Sequence, residues 1–137
     1  MTHANRRARI ASETQKGDEA LRAAEALVAV GLYNDAVTRM YYAAFHYASA
    51  ALVSVDVQPR SHRGLQSLFS LHLVKSGRLP FQRAKELRRL QGYREAADYD
   101  ADFHFDREGA EEELGVTRSF LAAIRSFLAA TGWLAVN

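Results

Sequence analysis

Between Asn34 and Val55 the chain is apolar at nearly every position that helical spacing brings around. Val37, Met40, Tyr41, Ala44, Phe45, Ala48 and Leu52 recur at steps of three and four and together cover most of a helix's circumference. A helix with so little polar surface needs neighbours on several sides, which places it in the middle of a bundle. Its flanks supply those neighbours. Ala20, Leu21, Ala24, Leu27 and Val28 predict an amphipathic helix from about Ser12 to Gly31, which ends it in the left-handed conformation that glycine adopts cheaply. The connection is short, so the first two helices should be antiparallel. Asn34 suits the N-cap of the second, with Asp35 in its first turn.

Pro59 pushes Gln58 out of the helical region, and Ser61 can cap a third helix with the stripe Leu65, Leu68, Phe69 and Leu73, ending near Gly77. Pro80 suits the first turn of a fourth helix running through Leu87 and Leu90 to about Tyr99, with Gly92 a mild weak point. A fifth, from about Glu108, carries Leu114, Phe120, Leu121, Ile124, Phe127 and Leu128 and ends near Gly132. The polar, arginine-rich residues 1–12 read as a frayed start. No stretch alternates with period two, and nothing repeats. The expectation is all-α: a single domain over residues 1–137, an up-and-down bundle of four to five helices.

Composition removes several function classes. The chain has no cysteine, which excludes disulfides, thiolate metal sites and a cysteine nucleophile. Its first residues lack the apolar core of a signal peptide, and the stretch Met40–Val55 is too short and too interrupted to span a bilayer, so the reading is soluble and cytoplasmic, without a membrane partner. The net charge of +2 hides an asymmetry: residues 1–94 carry +8, residues 95–113 carry −8, and the remainder +2. The basic part could meet phosphates, and the acidic part a basic partner or the chain's own basic part, with Asp100, Asp102 and the run Glu111–Glu113 expected to stay solvated.

Walker loops, dinucleotide-binding glycines, His-Glu-x-x-His and nucleophile elbows are all missing. The histidines (His3, His46, His62, His72, His104) show no pair at ligand spacing, so neither a metal nor a cofactor is expected. One constellation stands out. Arg39 and His46 are seven residues apart, and seven steps of about 100° return to nearly the same face. Asp35, Arg39, Tyr42, His46 and Ser49 therefore form one polar stripe on an otherwise apolar helix. An arginine can hold phosphate by paired hydrogen bonds while a histidine moves a proton. Equally, Arg39 could pair with Asp35 or Asp98 and His46 could simply bond inside the bundle. Both readings stay open on spacing alone.

On the fourth helix Arg94 and Asp98 share a face at i and i+4, flanked by Tyr93 and Tyr99, as an ion pair or as an extension of the first stripe. Arg78, Arg83, Lys85, Arg88 and Arg89, with Arg60 and Arg63 before the third helix, make a basic surface. No aromatics are interleaved there in the sequence, so base stacking is not expected and a solvated face is.

These residues carry a resemblance. The run Leu32-Tyr33-Asn34-Asp35-Ala36-Val37-Thr38-Arg39-Met40-Tyr41-Tyr42-Ala43-Ala44-Phe45-His46 resembles a segment of small prokaryotic HEPN-domain proteins (higher eukaryotes and prokaryotes nucleotide-binding). Ser61-His62-Arg63-Gly64 followed by Leu68-Phe69, the turn Lys75-Ser76-Gly77-Arg78-Leu79-Pro80, and Arg94-Glu95-Ala96-Ala97-Asp98-Tyr99 resemble three further blocks of that family, in its order.

The resemblance implies a helical bundle that forms homodimers and acts beside a small nucleotidyltransferase. Many members of the family are metal-independent ribonucleases, some of them toxins neutralised by that partner. Their motif is an arginine followed after four to six residues by a histidine, which Arg39 and His46 fit. The motif usually lies on a late helix, where this chain has Asp98 and Tyr99 after Arg94 and no histidine. The leading expectation is therefore a dimeric regulatory partner of a nucleotidyltransferase in a toxin–antitoxin-like system. It would bind nucleotide or RNA through Arg39, Tyr42, His46, Arg94, Asp98 and Tyr99. The alternative is an endoribonuclease in which Arg39 holds the scissile phosphate and His46 moves the proton. An exposed cleft would favour a site, and full burial of both residues a device that sets bundle register.

Overall fold

In a computed structural model, which describes residues 1–135, the chain is all-helical. The helices are α1 (His3–Ala29), α2 (Tyr33–Ser54), α3 (His62–Phe69), α4 (Phe81–Tyr99) and α5 (Arg107–Ala130), and a π-helical turn, Ser70–Val74, continues α3. Side-chain pairs fix the directions. Arg6 meets Val53 and Ser54, and Glu13 meets His46, so α1 and α2 run antiparallel. Tyr42 meets Arg94 and Thr38 meets Asp98, so α4 opposes α2. Arg118 meets Glu25 and Arg125 meets Asp18, so α5 opposes α1. The result is an up-and-down bundle with α2 at its centre.

The apolar run on α2 explains that position. Val37, Met40, Tyr41, Ala44, Ala48 and Leu52 are all completely buried, against Ala24, Leu87, Leu90, Phe120 and Ile124 of the surrounding helices. Three sharp ends fall at the expected glycines: Gly31, Gly77 and Gly132 have φ of 83°, 83° and 84°. Ser61 caps α3 by accepting from the Gly64 amide, and Asp106 caps α5 by accepting from Gly109. No helix among the described residues is long and apolar enough to cross a membrane.

Three expectations change. The start is not frayed: α1 begins at His3, capped by Thr2, and Ile10 is fully buried. Arg6 donates to the carbonyls of Val53 and Ser54 at the end of α2, and its guanidinium lies 4.6 Å from the Trp133 ring, on which His3 also stacks. The Val53 carbonyl also accepts from the Asp56 amide at 2.9 Å, and the arginine adds a donor to it and to the terminal Ser54 carbonyl, closing the α2 terminus. Arg6→Ala is expected to cost about 1–2 kcal/mol, read as a Tm lower by about 3–6 °C in a thermal melt. Asn34 does not cap α2, which begins one residue earlier. It instead donates to the Phe103 carbonyl and accepts from the Phe105 amide, tying down the loop before α5. Finally, Glu113 is not solvated. It is 2% exposed and paired with Arg89, which also reaches Glu112 at 3.2 Å. The acidic block thus neutralises part of the basic one within the fold.

Candidate functional site: a Glu–His pair in an arginine-lined cleft

Where α1 crosses α2 the two backbones come unusually close. A Cβ on Gly17 would lie 2.4 Å from Cδ1 of Tyr47 and 3.2 Å from the carbonyl oxygen of Ala43, so only glycine fits. One turn earlier on α1, that approach brings the Glu13 carboxylate to His46. Nδ1–H of His46 donates to Oε2 of Glu13 at 2.8 Å, while Arg9 holds Oε1 at 3.1 Å. Glu13 is 6% exposed, whereas the His46 side chain is 22% exposed. Burial pushes the Glu13 carboxyl up, but hydrogen bonds from His46 and Arg9 outweigh it and hold the group below its ordinary value. Glu13 is therefore an anion at neutral pH. It fixes the imidazole through Nδ1 and leaves Nε2 as the ring nitrogen available to a ligand.

His46 opens onto a cleft of about 500 Å³ between α1 and α2, lined also by Arg39, Tyr42, Lys16 and Glu19. The Arg39 guanidinium lies 4.8 Å from the centre of the Tyr42 ring, the residue between it and His46 on the stripe. Among the described residues it forms no ion pair with Asp35 or Asp98. The two polar residues that a register device would bury are thus both at the surface of a cleft. Neither is spent on a structural charge partner that occupies all its hydrogen-bonding capacity.

A second layer supports Tyr42. Arg94 donates to the Tyr42 hydroxyl at 3.4 Å and lies over the rings of Tyr41 and Tyr42 at 5.6 and 5.7 Å. Its Nε faces Asp98 at 3.2 Å, and Thr38 donates to the same carboxylate at 3.3 Å. Asp98 therefore serves Arg94 and does not reach Arg39. His62, at the start of α3, stacks on Phe45 at 4.3 Å and shares a 2.8 Å hydrogen bond with the buried Tyr41 hydroxyl. Burial, then the nearby charges of Arg94 and His46, lower the His62 pKa from 6.5, so it is neutral at pH 7. Burial also raises the Tyr41 hydroxyl to about 12, keeping it protonated.

These shifts predict acid sensitivity. A base with a depressed folded pKa contributes stability above its unfolded pKa, lost as pH falls through the folded value, and the same holds for the depressed Glu13 carboxyl. The Tm should fall on acidification below about pH 6.5, first as His62 charges and then, below about pH 4.5, as Glu13 protonates. In thermal melts the His62→Gln variant should lose less than wild type over the upper part of that range.

The remaining expected site residues lie elsewhere. Ser49 is buried and does not line the cleft, Asp35 is exposed on the first turn of α2, and Tyr99 is 79% exposed at the end of α4, apart from the cluster. Glu13, Lys16 and His62 were not singled out by spacing. Ile10, Gly17 and Ala24 lie at seven-residue intervals, so the buried face of α1 extends upstream of Ser12 and includes Glu13; that periodicity is the signal that could have found it. Among the described residues no cluster of three or more His, Asp or Glu side chains is arranged to hold a metal.

Residues 13–127 match the HEPN domain family, a span that opens on Glu13 itself and covers both the cleft and its supporting layer. The chain belongs to the HEPN family. A UPF0332 protein of Gloeobacter violaceus is 32% identical over 83% of this chain and 91% of its own length. Two proteins of Methanocaldococcus jannaschii named as candidate toxins are 30% and 33% identical, over 83% and 81% of this chain and 78% and 82% of their own lengths. Family membership accounts for the four sequence blocks together. In this HEPN chain two of them, around Arg39–His46 and around His62, meet across the Phe45–His62 stack, and the fourth, around Arg94, meets them at Tyr42.

Proposed function

We propose that this HEPN protein is a metal-independent endoribonuclease of toxin type. The observation that supports it most is the exposed edge of His46, whose Nδ1 is held by a buried carboxylate inside a cleft that Arg39 and Lys16 make cationic. Nε2 takes the proton of a ribose 2′-hydroxyl as that oxygen attacks the adjacent phosphorus. Arg39 and Lys16 hold the non-bridging oxygens, where charge grows in the transition state. The bond from phosphorus to the 5′-oxygen breaks, and the departing oxygen takes back the proton. Products are a 2′,3′-cyclic phosphate and a 5′-hydroxyl. Tyr42 positions Arg39 beneath its guanidinium, and no step requires a metal.

This reverses the order of the two sequence-level expectations, because both residues of the stripe line a cleft. The regulatory side of the reading remains part of the proposal: that relatives are named as candidate toxins supports a partner that restrains cleavage, expected to be a nucleotidyltransferase, and a homodimer as the working form. A single-stranded RNA with one 2′-deoxynucleotide tests the chemistry. Cleavage should stop after that nucleotide and continue elsewhere in excess EDTA. Cleavage that ignores the missing hydroxyl would contradict the proposed step.

A further inference from the structure

Two adjoining hollows meet along the exposed side of α4 and share Arg88 and Gly92. The first, of about 580 Å³, lies between α4 and the α3 to π-turn segment, and Arg63, Lys75 and Arg88 give it its charge. None of the three forms an ion pair among the described residues, and all are exposed. The one carboxylate on its wall, Glu95, accepts from Nε2 of Gln91 at 3.1 Å. The second hollow, of about 540 Å³, is floored by Tyr93, Ala96 and Phe103. The Tyr93 and Phe103 rings lie 6.4 Å apart and 28° from parallel.

The sequence keeps these features apart: the cations spread from residue 63 to residue 88, and Phe103 sits in the acidic loop. Folding brings phosphate-attracting charge and an aromatic floor to the two sides of one glycine. A Cβ on Gly92 would meet nothing within 4 Å, so the residue leaves a low saddle between the hollows instead of relieving a clash. Its place in the middle of a helix is costly by about 1 kcal/mol relative to alanine, and packing gives no return for it.

We propose that this saddle seats a segment of single-stranded RNA. Its phosphates lie against Arg63, Lys75 and Arg88, and its bases lie against Tyr93 and Phe103. Backbone charge attraction and base-to-aromatic contact are the two terms that bind single strands without reading their sequence. The saddle is separate from the cleft: Arg94 of the same helix turns inward to Tyr42, while Arg88 and Gly92 face outward. It would hold the strand while another part meets His46. The choice of RNA rests on the proposed function; the binding itself does not require cleavage.

The test is fluorescence anisotropy with a labelled oligouridine, in a His46→Ala background so that the probe is not consumed. Gly92→Glu places a carboxylate on the saddle without a core contact and should weaken binding at least about tenfold. Lys75→Ala and Arg88→Ala should each lower the slope of log Kd against log salt by about 0.7. Unchanged affinity in Gly92→Glu, or unchanged slopes, would overturn the proposal. Displacement by free uridine monophosphate at equal nucleotide concentration would assign the hollows to a free nucleotide and overturn the strand reading. If wild type proves unable to cleave RNA, the proposed function fails while these binding arms still decide the saddle.

Discussion

Replacing His46 by alanine should lower RNA cleavage by a factor of roughly 10²–10⁴, the usual worth of a positioned general acid–base, in a protein that remains helical. The claim rests on geometry. His46 has one nitrogen committed to a carboxylate and the other facing a cleft with two cations. Its removal also leaves Glu13 with one partner, Arg9, so some loss of stability accompanies the loss of activity. Glu13→Gln separates the two effects. The amide keeps the shape and an acceptor oxygen for Nδ1–H but removes the charge that stabilises an imidazolium. Cleavage should fall by a smaller factor, with a shifted pH profile. A Glu13 that only filled space would leave the profile where it was.

The second large effect is expected at Gly17. Gly17→Val should cost about 3 kcal/mol, with a Tm lower by about 10 °C, because the new side chain meets Tyr47 and the Ala43 carbonyl together. Tyr47 cannot simply turn aside. It is 1% exposed, and its hydroxyl, raised to about 12 mainly by burial, sits between Asp18 and Arg125. Forcing α1 away from α2 also pulls Glu13 from His46, so activity should fall further than stability alone explains. Gly92→Ala is the control within the same fold. Its Cβ meets open space, and the variant should be more stable by about 0.5–1 kcal/mol. Opposite signs from filling these two helical glycines, read by denaturant unfolding, would separate close packing from helix propensity.

Periodicity revealed the parts of this molecule that are set locally. The apolar circumference of α2 implied a central helix, and the glycines at 31, 77 and 132 marked ends that are left-handed in the fold. The stripe of Arg39, Tyr42 and His46 was legible because one helix carries all three. What could not be read were pairings between helices. Glu13 lies 33 residues from His46, and nothing in its neighbours says which carboxylate the imidazole meets. Arg89 and Glu113 looked like members of opposite solvated blocks until α4 and α5 packed side by side. Asn34 has the chemistry of a helix cap, but the loop carrying Phe103 and Phe105 takes both of its hydrogen-bonding groups. Tyr99 shares a sequence block with Arg94 yet lies past the last contact that α4 makes with the cleft's supporting layer. Helical spacing assigns faces; only the crossing of α1 and α2 at Gly17 decides which groups on those faces meet.

The most direct measurement is to incubate wild type and His46→Ala side by side with single-stranded RNA in excess EDTA, from about pH 6 to pH 8, and to map the ends. The account predicts cleavage by wild type alone, leaving 2′,3′-cyclic phosphate and 5′-hydroxyl ends. RNA left intact by wild type across that range, or cut equally by His46→Ala, would contradict it.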